Sequence, residues 1–108
     1  MRIEINYIGD NEVGRTEYEY HENGQMREIA HYLKGELHGV RLLISKKGKL
    51  KEQELFTHGQ YDGHQMYFHD TGNPSMKITY INGVRNGLFL KYYKNGKKQE
   101  SAYYLNDK

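Results

Sequence analysis

Apolar and polar residues alternate along most of the chain, in short runs broken by glycine. In a first run the even positions are Tyr18 and Tyr20, then Leu42 and Ile44, Met66 and Phe68, and Leu90 and Tyr92, each set 24 residues after the last. A second run in every stretch ends on an aromatic, Tyr32, Phe56, Tyr80 or Tyr104. Period-two alternation bounded by glycine predicts half-buried strands, and nothing sustains a helical period. The glycines keep the same beat: Gly24, Gly35 and Gly39 are followed by Gly48, Gly59 and Gly63, and by Gly72, Gly83 and Gly87. The recurring steps are 11, 4 and 9 residues, which close on 24.

Self-similarity at a fixed spacing marks a repeat architecture. Asn23-Gly24 and Asn95-Gly96 are hairpin-turn dipeptides, with Lys47-Gly48 and Thr71-Gly72 in the same slot. The glycines of the Gly-x-x-x-Gly segments are expected at chain reversals, where a positive φ would strain a Cβ. Each unit then reads as one β-hairpin. The predicted fold is all-β: a single-layer, twisted antiparallel meander of repeated hairpins. Residues 16–39, 40–63 and 64–87 are full repeats, 1–15 a partial N-terminal cap and 88–108 a partial C-terminal repeat. The cap echoes the turn segment from Tyr7-Ile8-Gly9 to Gly14, but Gly14 stands ten residues before Gly24 where nine is the rule. At the other end, Tyr104 to Lys108 stops inside a turn. A lone hairpin is marginal in water, whereas stacked hairpins share an apolar face. That face is expected on the even positions, with Tyr32, Phe56, Tyr80 and Tyr104 stacked as a stripe.

Composition agrees with a thin protein. The 108 residues make one domain, and their apolar share of 36% falls below the usual ~45–50%. Eleven Tyr and three Phe beside a single Pro do not resemble a disordered chain. The absence of cysteine removes disulfides and thiolate metal sites. The N-terminus alternates like a strand, not a signal peptide, and no run nears the ~20 apolar residues of a spanning helix. A cytoplasmic protein is expected. A net charge of +2 does not point to a nucleic-acid partner.

The segments "YYKNGKKQESAYYLND", "YEYHENGQMREIAHYLKGELHG" and "YINGVRNG" resemble the MORN repeat variant of small bacterial proteins described as YwqK-type antitoxins. The resemblance covers residues 16–107. Standard MORN repeats add a Trp and a Gly-x-Gly step, absent here. Other departures are Lys47 and Thr71 in place of Asn, and Pro74 at a strand start. The resemblance implies a protein-binding sheet, in bacteria commonly an antitoxin or immunity protein that occludes a cognate toxin. It also leaves open a scaffold or dimerisation module, or a peripheral binder of membrane lipid. Exposed terminal strands admit a homodimer by edge or face association.

No residue pattern predicts catalysis. The serines lack a nucleophile-elbow context, and Glu28, Glu52 and Glu100, which share one repeat position, read as part of the repeat. The six histidines show no ligand spacing on one element. His21 and His69, four strands apart at ~4.8 Å per strand, are too distant for a shared metal. No enzyme activity, cofactor or metal is therefore expected. The basic clusters Lys46–Lys51 and Lys91–Lys98 read as solvated turn tips, because the equivalent turns carry Glu22 and Asp70. The face opposite the stripe offers the candidate partner-binding residues Leu43, Leu55, Tyr67, His69, Tyr93 and Tyr103, mixed with Arg41, Lys51 and Lys77.

Overall fold

A computed structural model describes residues 2–8 and 11–106. Gly9, in the expected cap turn, and Asp107 and Lys108, at the C-terminal turn, lie outside the described residues. The strands are β1 (Arg2–Ile8), β2 (Asn11–Tyr20), β3 (Met26–Leu33), β4 (Glu36–Ile44), β5 (Leu50–Thr57), β6 (Gln60–Tyr61), β7 (Gly63–Phe68), β8 (Pro74–Ile81), β9 (Val84–Tyr92) and β10 (Lys98–Tyr104). They form one antiparallel sheet in chain order, with the short β6 paired to β5 beside β7. The sheet measures 50 × 38 × 14 Å and its radius of gyration is 16.0 Å, against ~13 Å for a compact domain of this size. It is a single layer.

Two kinds of reversal alternate. At the loops of Gly24, Gly48, Gly72 and Gly96 the glycine N–H donates to the carbonyl three residues back, as in Gly24 N to His21 O at 2.9 Å. Within these four dipeptides only the glycines have positive φ: this is a type I turn followed by a glycine in the left-handed region. Lys47 and Thr71 therefore occupy ordinary backbone, which is why the slot tolerates them. At the other edge both residues of Lys34-Gly35, His58-Gly59 and Asn82-Gly83 have positive φ, the geometry of type I′ turns. Gly39, Gly63 and Gly87 are not at reversals, contrary to expectation. They sit where two extra residues enter the next strand, as between Tyr32↔Leu37 and Ala30↔Arg41. Gly63 has φ +114°, and a Cβ there would lie 3.1 Å from Leu55 Cδ1.

A second irregularity decides which side chains share a face. In each unit one residue is inserted just past the type I loop, at Arg27, Lys51, Ser75 and Gln99: Glu19 pairs Glu28 while Tyr20 pairs Met26, and the other three units repeat the shift. A one-residue insertion reverses the pointing of everything after it. The even positions of the two runs therefore do not share a face, as the sequence pattern had suggested. Tyr32, Phe56, Tyr80 and Tyr104 stand with Arg41, Leu43 and Tyr67, on the stripe face. Tyr18, Leu42, Met66 and Leu90 stand with Ile29, Leu55 and Tyr103, on the apolar face, through the row Tyr18–Ile29–Leu42–Gln53–Met66–Lys77–Leu90–Ser101.

Candidate binding surfaces on the two faces of the sheet

The stripe face holds a polar centre. Among the described residues three side chains are almost fully buried, Ala30 at 1%, Glu54 at 3% and Gln65 at 0% exposed. Two of them are polar. Arg41 donates from Nε to Glu28 Oε2 and from Nη1 to Glu54 Oε1, both at 3.0 Å. The Tyr61 hydroxyl donates to the other Glu54 oxygen at 2.6 Å. The Tyr61 ring lies between Phe56 and Tyr80, with centroids 4.9 and 5.1 Å away. Burial lowers the Arg41 pKa, but its bonds to Glu28 and the charges of Glu28 and Glu54 outweigh this and leave it raised. Burial and the Glu54 carboxylate both push the Tyr61 phenol well above its ordinary value. Burial raises Tyr67, with a further push from Glu54, and burial also raises Tyr32, beside Glu17 and Glu28.

Gln65 replaces part of a strand ladder. Pairing between β5 and β7 is limited to Glu52↔Tyr67 and Gln53↔Met66. Leu55 N–H donates to Gln65 Oε1 at 2.6 Å, and Gln65 Nε2 donates back to Leu55 O at 3.0 Å. A side-chain amide, which carries both a donor and an acceptor, copies a peptide group here. Glu28, Glu52 and Glu100 do not form a carboxylate ladder. Their row reads Glu19–Glu28–Leu43–Glu52–Tyr67–Met76–Lys91–Glu100, so Leu43 separates the first two and Lys91 pairs with the last.

Four of the six histidines serve the edges, whereas His31 and His64 bond the hydroxyls of Thr16 and Thr79 across paired strands. His21 Nε2 donates to Ile44 O at 2.7 Å and His69 Nε2 to Tyr92 O at 2.8 Å, each tying one unit to the next. His58 N–H donates to His38 Nδ1 at 3.3 Å across neighbouring I′ turns. No cluster of three potential metal ligands occurs among the described residues.

The six expected partner-binding residues do not come together. Leu43 and Tyr67 are on the stripe face, half-buried among charged neighbours. Leu55 and Tyr103 are on the apolar face. His69 is engaged with Tyr92, and Tyr93 is an exposed turn residue. Pairing and alternation instead gather Ile81, Val84, Leu88 and Tyr103 on the apolar face of the C-terminal end, with Ile81↔Val84 and Leu88↔Tyr103 directly opposite. All four are exposed, Tyr103 at 73%, and Leu105 beyond the last strand at 65%. Of these, only Tyr103 is among the six expected residues.

The family model for the MORN repeat variant matches residues 16–34, 61–82 and 85–106, more than half of the chain. The protein belongs to the MORN repeat variant family. Residues 35–60 fall outside these matches, yet the loop, insertions and positive-φ glycines recur there in register. Among curated proteins and solved structures none matches. Family membership identifies a repeat module of a kind suggestive of protein or membrane binding. No helix of the described residues is long and apolar enough to cross a membrane.

Proposed function

We propose that the protein is a non-catalytic protein-binding module whose partner is a toxin, which it neutralises as an antitoxin or immunity protein by steric occlusion. The observation that carries the binding reading is that two apolar pairs, Ile81–Val84 and Leu88–Tyr103, are left exposed on one face of a single-layer sheet. Large apolar groups exposed together on one face mark interaction sites, and Tyr is a favoured anchor. The toxin reading is the finer step and draws on the bacterial proteins that the repeat resembles.

The test is capture of partners from the native host on tagged protein, washed at moderately high salt, beside the variant Leu88→Asp/Tyr103→Asp. One stoichiometric partner is expected, lost from the variant, lethal when expressed alone and rescued by the wild type. A hot-spot loss of ~2 kcal/mol corresponds to ~30-fold weaker binding. Recovery of the bait alone, or of a partner that the variant holds equally well, overturns the docking assignment. A patch-dependent partner that is harmless to cells removes the toxin and leaves a scaffold.

A further inference from the structure

A second feature of the apolar face lies at the opposite edge, between the type I loops of the second and third units. There a cavity of about 470 Å³ is lined by Lys46, Lys47, Lys49 and Lys51, with Leu50 and Phe68 contributing apolar walls and Asp70 at its side. Such a volume is within the range of ligand sites, ~300–1,000 Å³. Ile44 pairs Leu50 and Phe68 pairs Pro74, which places Leu50 and Phe68 on the apolar face.

The cations around it are not compensated. Lys46, Lys47 and Lys51 are exposed and make no ion pair among the described residues, whereas Arg15, Arg27 and Arg41 each pair with a carboxylate. Lys49 Nζ donates to the Asp70 carbonyl at 2.9 Å, bridging the two loops and shaping the cavity between them. Four ammonium groups against one lining carboxylate give a positive field over apolar walls.

We propose that this cavity docks a short acidic segment of a protein partner, an apolar side chain entering between Leu50 and Phe68 while flanking Asp or Glu residues meet Lys46, Lys47 and Lys51. Charge complementarity selects the occupant. A flat anionic membrane presented to this edge meets Glu22 and Asp70 at alternate loop tips, and their repulsion dilutes the pull of the lysines. A peptide addresses one cavity at a time and meets four lysines against the single carboxylate of Asp70. The assignment extends the protein-binding reading and rests on it, but concerns a site separate from the Leu88–Tyr103 cluster.

The probe is a fluorescein-labelled peptide with a central Leu-Phe pair flanked by Glu and Asp, compared with its Gln and Asn counterpart by fluorescence anisotropy. Vesicles containing phosphatidylserine form a second arm. The wild type is expected to bind the acidic peptide and not the neutral one, with affinity falling as salt rises from ~50 to ~300 mM. Lys47→Glu/Lys51→Glu is expected to weaken binding at least ~10-fold. Thermal melts verify that this variant is folded, and Lys47→Gln/Lys51→Gln reads the same loss if the reversal unfolds it. Leu88→Asp/Tyr103→Asp keeps peptide binding, so failure of the apolar docking site is told apart from failure here. No binding of the acidic peptide, equal binding of the neutral one, an unaffected lysine variant, or binding of vesicles in place of peptide each overturns the assignment.

Discussion

The middle of the sheet and its C-terminal hairpin share one backbone and use it in opposite ways. At the centre, the repeat positions of Arg41, Glu54 and Gln65 hold polar groups, Arg41 half-buried and the other two buried, that bond to one another or to the main chain. In β9 and β10 the corresponding positions are Phe89 and Ala102, and the exposed groups on the other face are apolar. A sheet without a second layer has no interior to fill with hydrocarbon, so its most protected sites lie between neighbouring side chains. There directed bonds can hold the strands together. At the end of the sheet nothing flanks the last strand among the described residues, and the same backbone presents surface. The comparison separates bonds that hold the strands together, concentrated in the centre, from apolar surface left exposed, concentrated at the end.

The largest expected effect tests the centre. Arg41→Ala leaves the Glu54 carboxylate, 4% exposed by side chain, without its counter-charge. A loss of ~3 kcal/mol is expected in urea unfolding. Tyr103→Ser, at the exposed end, is expected within ~0.5 kcal/mol of wild type. Equal effects would erase the distinction.

Gln65→Ala comes next. It strips the Leu55 N–H of its acceptor inside the sheet, for an expected loss of ~2 kcal/mol. Native-state hydrogen exchange should show the opening confined to β5 and β7; uniform opening would mean that Gln65 does not act locally.

A smaller effect is confined to alkaline solution. Tyr61 and Tyr67 have folded pKa values above the ordinary 10.0, so the fold favours their neutral phenols. This contribution is complete below pH 10 and is lost as pH climbs beyond it. Tyr61→Phe should flatten the alkaline limb of the stability profile, and an unchanged limb would assign it to other groups.

The smallest change sharpens the contrast between the turns. Lys34 and His58 have φ of +49° and +48°, which Asn tolerates better. Lys34→Asn and His58→Asn should each stabilise by ~0.5 kcal/mol in thermal unfolding. Lys47→Asn, in the type I loop without positive φ, serves as a control in which no backbone relief is expected.

The meander was legible in the chain, because a repeated glycine spacing and period-two runs leave few ways to turn and pair. Its side-chain arrangement was not. Tyr32, Phe56, Tyr80 and Tyr104 share a face but do not stack on one another, since Tyr61 stands between Phe56 and Tyr80 and Tyr104 meets Phe89. Their company on that face was not readable, because the inserted residue at Arg27, Lys51, Ser75 and Gln99 carries no pattern that marks it. Glu54 and Gln65 look like surface residues in a polar repeat. They are buried because the interrupted β5–β7 pairing and the approach of Arg41 and Tyr61 enclose them.

What the sequence determined by itself was therefore local and periodic: hairpin units, glycines at most positions of positive φ, and strands too sparsely apolar for a thick core. Tertiary structure decided the rest. Whether Tyr32 stands with Leu43 or with Leu42, whether four lysines surround a cavity or radiate into solvent, and whether Tyr103 has apolar neighbours depend on strand register. Register is a property of paired strands, and a single inserted residue reverses it.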